Sequence, residues 1–117
     1  MGENILKDKS FTFAVSVVNM YKYFITEHKE FILSKQLFRS GTSIGANIHE
    51  AEFGQSKADF IHKLSITQKE TNETIYWLEL MKETNYLSET QFESINLEAI
   101  ALIKIITASI KTAKSNL

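Results

Sequence analysis

A chain of 117 residues with 44% hydrophobic and 23% charged side chains has room for one compact domain and not for two. The absence of cysteine excludes a disulfide framework, a thiolate nucleophile and a cysteine-bound metal, and a formal net charge of −1 offers nucleic acid no overall basic field. With no proline and four glycines, long uninterrupted helices with short connections are predicted. The opening MGENILKDKS lacks the apolar run of a signal peptide, and no stretch approaches the roughly 18 unbroken apolar residues of a membrane span, so a cytoplasmic protein is expected.

The first helix is predicted over about residues 10–28, capped by Asp8 or Ser10. Phe11, Ala14, Val18, Tyr21 and Ile25 recur at steps of three and four and are assigned to the core. Phe13, Val17, Met20 and Phe24 form a second row beside them. Together the rows cover about 180°, wider than the roughly 100° one core needs, so the second row is assigned to contact with another subunit.

The second helix, about 34–53, takes Ser34 as its N-cap and carries the strongest conflict in the chain. Ser40, Gly41, Thr42, Ser43, Gly45 and Asn47 are poor helix formers, yet Leu33, Leu37, Ile44, Ile48 and Ala51 keep helical spacing. Gly41 and Gly45 would admit a close backbone neighbour. Beside the apolar row run Gln36, Arg39, Ser43, Asn47 and Glu50, all within an arc of about 60°. Arg39 is the sole arginine, and its donor fork suits a carboxylate of Glu50, Glu70 or Glu73. These seven polar residues are assigned to a structural network or interface, because buried polar networks fix register.

Gly54 is predicted to stop that helix, and Ser56 with Asp59 to cap a third over about 56–84. Phe60, Leu64, Thr67, Thr71, Ile75, Leu78 and Met81 form its core row. Ile66, Glu70, Glu73, Trp77 and Leu80 lie on a second face. Ser88 and Gln91 spell a capping box, and Leu87 with Phe92 a hydrophobic staple, at the start of a last helix over about 88–115. Its core row is Phe92, Ile95, Ala99, Leu102, Ile106, Ile110 and Ala113, while Leu97, Ala101, Ile105 and Ala108 face outward. A monomer would leave that outward row wet. The expected architecture is all-α, an antiparallel up-down-up-down four-helix bundle filling residues 1–117, with Leu97, Ala101 and Ile105 joining the first helix's second row as oligomer interface.

Chemistry-bearing patterns are sparse. Carboxylate metal bundles need Glu-x-x-His pairs on two helices; here Asp59-x-x-His62 stands alone and Glu70-x-x-Glu73 has no histidine. No nucleophile elbow, triad spacing or phosphate-cradling glycine loop is present. The chain is expected to be no enzyme, with no cofactor, metal or small-molecule substrate. Lys57, Lys63 and Lys69, with Lys35 and Arg39 on the preceding helix, form the best nucleic-acid candidate face, although acids stand near each lysine.

Gln36, Arg39, Ser40, the run Ser43–Ile48 (SIGANI) and Glu50 resemble the signature of the bacterial four-helix bundle family first noticed in intervening sequences of 23S ribosomal RNA genes. Gln55–Lys57, Asp59–Lys63, Ser65–Ile66, Glu70, Glu73–Thr74 and Tyr76–Leu78 continue the match. The resemblance implies an antiparallel bundle assembling as a ring, a homopentamer, and the chain is also similar to the RNA-binding accessory protein of diversity-generating retroelements. Asn72 stands where relatives often carry a basic residue, and Glu50-Ala51 replaces the usual Glu-Gly. The function expected from residues and resemblance together is a non-enzymatic, ring-forming scaffold or adaptor for an RNA–protein complex. The alternatives are direct RNA binding and, in a different class, a carboxylate metal-binding bundle.

Overall fold

The serine- and glycine-laden segment is helical because its neighbours hold it so. In the computed structural model, which describes residues 2–54 and 56–116, it forms α2 (Leu33–Ala51). Gln55 of the matched string lies outside the described residues. Around it stand α1 (Gly2–Tyr23), α3 (Lys57–Glu83) and α4 (Glu89–Ser115). Packing of α1 on α2, α2 on α3, α3 on α4 and α4 back on α1 closes the predicted up-down-up-down bundle. Ser40 and Gly41 are buried with Leu37, Ile44, Ile48 and Ala51, which is where the small side chains are used. A Cβ on Gly41 would sit 2.8 Å from Val17 Cγ2, and one on Gly45 would sit 3.4 Å from the Ser10 carbonyl oxygen. Close approach of α1 to α2 thus depends on Gly41, whereas a methyl group at Gly45 would make an ordinary contact. On the other flank Ser40 Oγ and Thr74 Oγ1 are hydrogen-bonded at 2.9 Å in the core. Thr67, Thr71 and Thr74 each donate to the carbonyl four residues back, which satisfies the hydroxyls that α3 buries.

Three expectations about the helix ends and faces are corrected. First, α1 begins at Gly2, not near residue 10, about two turns before Ser10, and Leu6 in that added stretch docks in the core. Ser10 caps nothing; its hydroxyl donates to the Lys7 carbonyl within the helix, at 3.0 Å. Second, α2 is capped by Glu30 instead of Ser34. The Glu30 carboxylate accepts from the amides of Ile32, Leu33 and Ser34 at 3.1, 3.0 and 2.7 Å, so one side chain satisfies three orphan donors. Ser34 Oγ instead donates to the Glu30 carbonyl. Third, the buried row of α1 is the one assigned to another subunit, while Ala14, Val18, Tyr21 and Ile25 of the row assigned to the core are half-buried. Phe13, Val17 and Phe24, assigned above to another subunit, are fully buried in this chain's own core, with Met20 packed against it. Phe11, assigned to the core, is exposed.

Other signals hold as read. Ser88 and Gln91 form the full capping box, Ser88 Oγ accepting from the Gln91 amide and Gln91 Oε1 from the Ser88 amide, while Leu87 and Phe92 are buried in one cluster. Ser56 Oγ accepts from the Asp59 amide at 3.1 Å. The close of α1 was not foreseen: Phe24–His28 is a π-helical turn ended by Lys29 at φ 53°. His28 is wrapped there by Tyr23, Phe24 and Tyr86. Gly54 has no left-handed conformation; the positive φ angles fall at Lys29 and Asn85.

Candidate interaction surface

Two faces carry the predicted site residues. On the α2/α3 side, the spacing of α2 does align Gln36, Arg39, Ser43, Asn47 and Glu50 beside Glu70 and Glu73 of α3, but they do not make one network. Ser43 Oγ donates to the Arg39 carbonyl at 2.7 Å and Asn47 Nδ2 to the Ser43 carbonyl at 2.9 Å, so both are spent on their own helix. Glu50 takes Lys63, Oε1 to Nζ 2.9 Å, and not Arg39. The lysine's hydrogen bond and charge hold the Glu50 carboxyl below its ordinary value, and Glu50 in turn raises Lys63. Arg39 is exposed and, among the described residues, has no carboxylate within 4.0 Å. Glu70 is half-buried; burial and then the neighbouring Glu73 push its carboxyl up, against the opposing charges of Arg39 and Lys69. Glu73 Oε2 accepts from Trp77 Nε1 at 3.3 Å. This is a face of separate pairs.

Of the lysines proposed for nucleic acid, Lys63 is committed to Glu50 and Lys57 reaches the Asn116 carbonyl at 3.4 Å. Lys35 and Lys69 are exposed and, among the described residues, outside ion-pairing distance of any acid. No three His, Asp or Glu side chains among the described residues converge to hold a metal, and none of the described helices is long and apolar enough to cross a membrane.

The apolar face lies on α1 and α4. Phe11 is 70% exposed, Val15 46% and Leu97 72%. Ala101 and Ile105 are half-buried between α4 and its neighbours, with Ile105 packed against the core, and Ala108 is exposed, so Leu97 is the large projecting side chain of the predicted outward row. A groove of about 720 Å³ runs between α1 and α2, floored by Ala14, Gly45 and Ala46 and walled by Phe11 and Thr42. Its lower end holds Asp8, His49 and Glu50. Between α1 and α4 the Glu98 carboxylate accepts from Ser16 Oγ at 3.4 Å, and burial raises it above the ordinary carboxylate range. The exposure of Phe11 and Val15 was missed because two apolar rows compete on one helix. The usable signal is the seven-residue spacing Asp8–Val15–Lys22, which marks a wet face, against Leu6–Phe13–Met20 and Ser10–Val17–Phe24, which mark the buried one.

The family model for the 23S rRNA-intervening sequence protein matches residues 3–108. The chain belongs to this family. Among solved structures, this family member is similar to a protein of unknown function from the S23 ribosomal protein family of Bacteroides thetaiotaomicron VPI-5482. The two are 56% identical over 95% of this chain and 99% of that one, with a TM-score of 0.94. No curated protein matches the chain. Sequence identity at that level over almost the whole length agrees with the four-helix architecture, whereas the relative, itself of unknown function, brings no activity with it.

Proposed function

We propose that this family member is a non-enzymatic scaffold or adaptor that assembles with copies of itself into a ring, a homopentamer as the family resemblance implies, and serves an RNA–protein complex in the cytoplasm. The observation that carries the reading is the strip of large apolar side chains left in water on regular helical spacing, Phe11 and Val15 on α1 and Leu97 on α4. Scattered apolar residues need no explanation, but three on adjoining helices beside an apolar groove favour a protein partner. Native mass measurement tests it: the expected particle is five times the 13.4 kDa chain. A particle of chain mass at micromolar concentration overturns the reading.

Direct RNA binding is the second reading, favoured by exposed Lys35, Arg39 and Lys69 lacking acidic partners among the described residues. A ring would repeat that small basic cluster around its axis. Retention of labelled RNA that falls steeply with salt supports it, and no retention at low salt removes it.

A further inference from the structure

The groove between α1 and α2 and the apolar stripe of α4 are unlike in shape and stand on different helices. We infer that they are the two halves of one contact: the α4 stripe of one copy, led by Leu97, docks into the α1/α2 groove of the next, head to tail. This deepens the ring reading and rests on it.

The argument is one of levels along the bundle. Within a chain, Ser16 meets Glu98, Gly41 lies against Val17, and Gly45 lies against Ser10. Counting along the antiparallel helices from these contacts, Leu97 stands within a turn of Val15 and Thr42, and Lys104 within a turn of Asp8 and His49. Glu93 stands within a turn of Lys22 and Lys35. Copies related by rotation about an axis along the helices keep those levels. The next copy's Leu97 then meets the Thr42 end of the groove, its Ala101 and Ile105 lie level with the small-residue floor, its Lys104 faces Asp8 at the other end, and its Glu93 faces Lys22 and Lys35. All five of these charged side chains are exposed.

Turning the second copy end over end reverses the match, setting Lys104 against Lys22 and Lys35 and Glu93 against Asp8. Charge therefore selects copies that run in the same direction over an antiparallel two-fold dimer, because like charges brought together oppose association. Size agrees. One long side of a 47 × 21 × 19 Å body offers an area of the same order as the roughly 800 Å² per partner of a stable interface. Lys7, which also lines the groove, is already paired with Glu52 at 3.4 Å.

Two exposed positions separate the halves, Leu97 on the stripe and Ala46 in the groove. Leu97→Asp and Ala46→Arg should each retain wild-type far-UV circular dichroism and each weaken self-association tenfold or more, leaving monomers in sedimentation. An equimolar mixture of the two has one intact stripe and one intact groove per pair, so it should give a 1:1 dimer and nothing larger. Lys104→Glu should weaken assembly, and adding Asp8→Lys to the same chain should restore it. An assembled wild type whose mass neither substitution changes, a mixture that stays monomeric, or a failed charge swap overturns the docking mode alone. A monomeric wild type overturns the ring itself.

Discussion

Gly41→Ala sets two effects of opposite sign against each other in one methyl group. Inside a helix the change should stabilise by about 1 kcal/mol through propensity and the unfolded chain's lost freedom. Against that, the new Cβ would stand 2.8 and 2.9 Å from the two Cγ atoms of Val17. Neither methyl can swing away, because Val17 is fully buried and a β-branched side chain in a helix has one strongly preferred rotamer. Relief must come from moving α1 off α2, and overpacking of that kind costs about 1–3 kcal/mol. The net expectation is a loss of about 1 kcal/mol, a melting temperature lower by roughly 3–5 °C for a domain of this size. Gly45→Ala is the control: its Cβ would meet the Ser10 carbonyl oxygen at an ordinary 3.4 Å, so the propensity gain should survive and the protein melt at or above wild type. Thermal unfolding at one fixed protein concentration, followed by circular dichroism, reads both. Val17→Ala in the Gly41→Ala background removes both contacts under 3.0 Å, leaving a Cβ–Cβ approach of 3.3 Å, and should show a favourable coupling of about 1 kcal/mol. A Gly41→Ala protein that melts at or above wild type, or an absent coupling, would refute the claim that close packing by α1 is what these small residues serve.

Glu30→Ala removes the acceptor for three amides, one of them buried, and should cost about 2 kcal/mol in chemical denaturation; a cost under about 0.5 would show that water replaces the cap. Burial alone would raise the Glu30 carboxyl, but the amides of Leu33, Ser34 and Ile32 outweigh it and hold the group below its ordinary value. A lowered folded pKa means stability present above the unfolded value and lost as pH falls through the folded one, so Glu30→Ala and wild type should converge in melting temperature on acidification below the ordinary glutamate range. Glu98 has the opposite sign: raised first by burial, it favours the folded state when protonated, so Glu98→Gln should raise the melting temperature at neutral pH and leave it unchanged in acid. An effect of Glu98→Gln that is independent of pH would overturn that assignment. Arg39→Ala, at an exposed position with no ion-pair partner among the described residues, should shift stability by no more than about 0.5 kcal/mol; a loss above about 1 would restore the network expected from spacing.

Where the chain alone is informative, the information is local. The capping box at Ser88 and Gln91 depends on residues three apart, and the absence of proline depends on none, so both are legible without coordinates. Helical spacing likewise picked out the core row of α4 and most of that of α3, where Phe60 and Ile75 are only half-buried and Thr74 joins the core. The helicity of the Ser40–Asn47 stretch was also readable, since periodicity there runs against propensity and only packing can favour the former.

Which of α1's two apolar rows faces inward was not legible, because periodicity gives the spacing of a row and not its direction. The observed direction is favoured by Gly41 of α2, which admits Val17, with Phe13 and Phe24 turned to the core and Phe11 to water. The same holds for Glu30, whose capping role needs a turn that folds its carboxylate back over the α2 amides, and for Arg39, whose spacing matched carboxylates that the bundle keeps out of its reach. Sequence determined which residues form helices and where most of them stop, since those are contests among neighbours in the chain. Tertiary structure decided which faces are buried and which polar groups meet, since those depend on how closely one backbone can approach another.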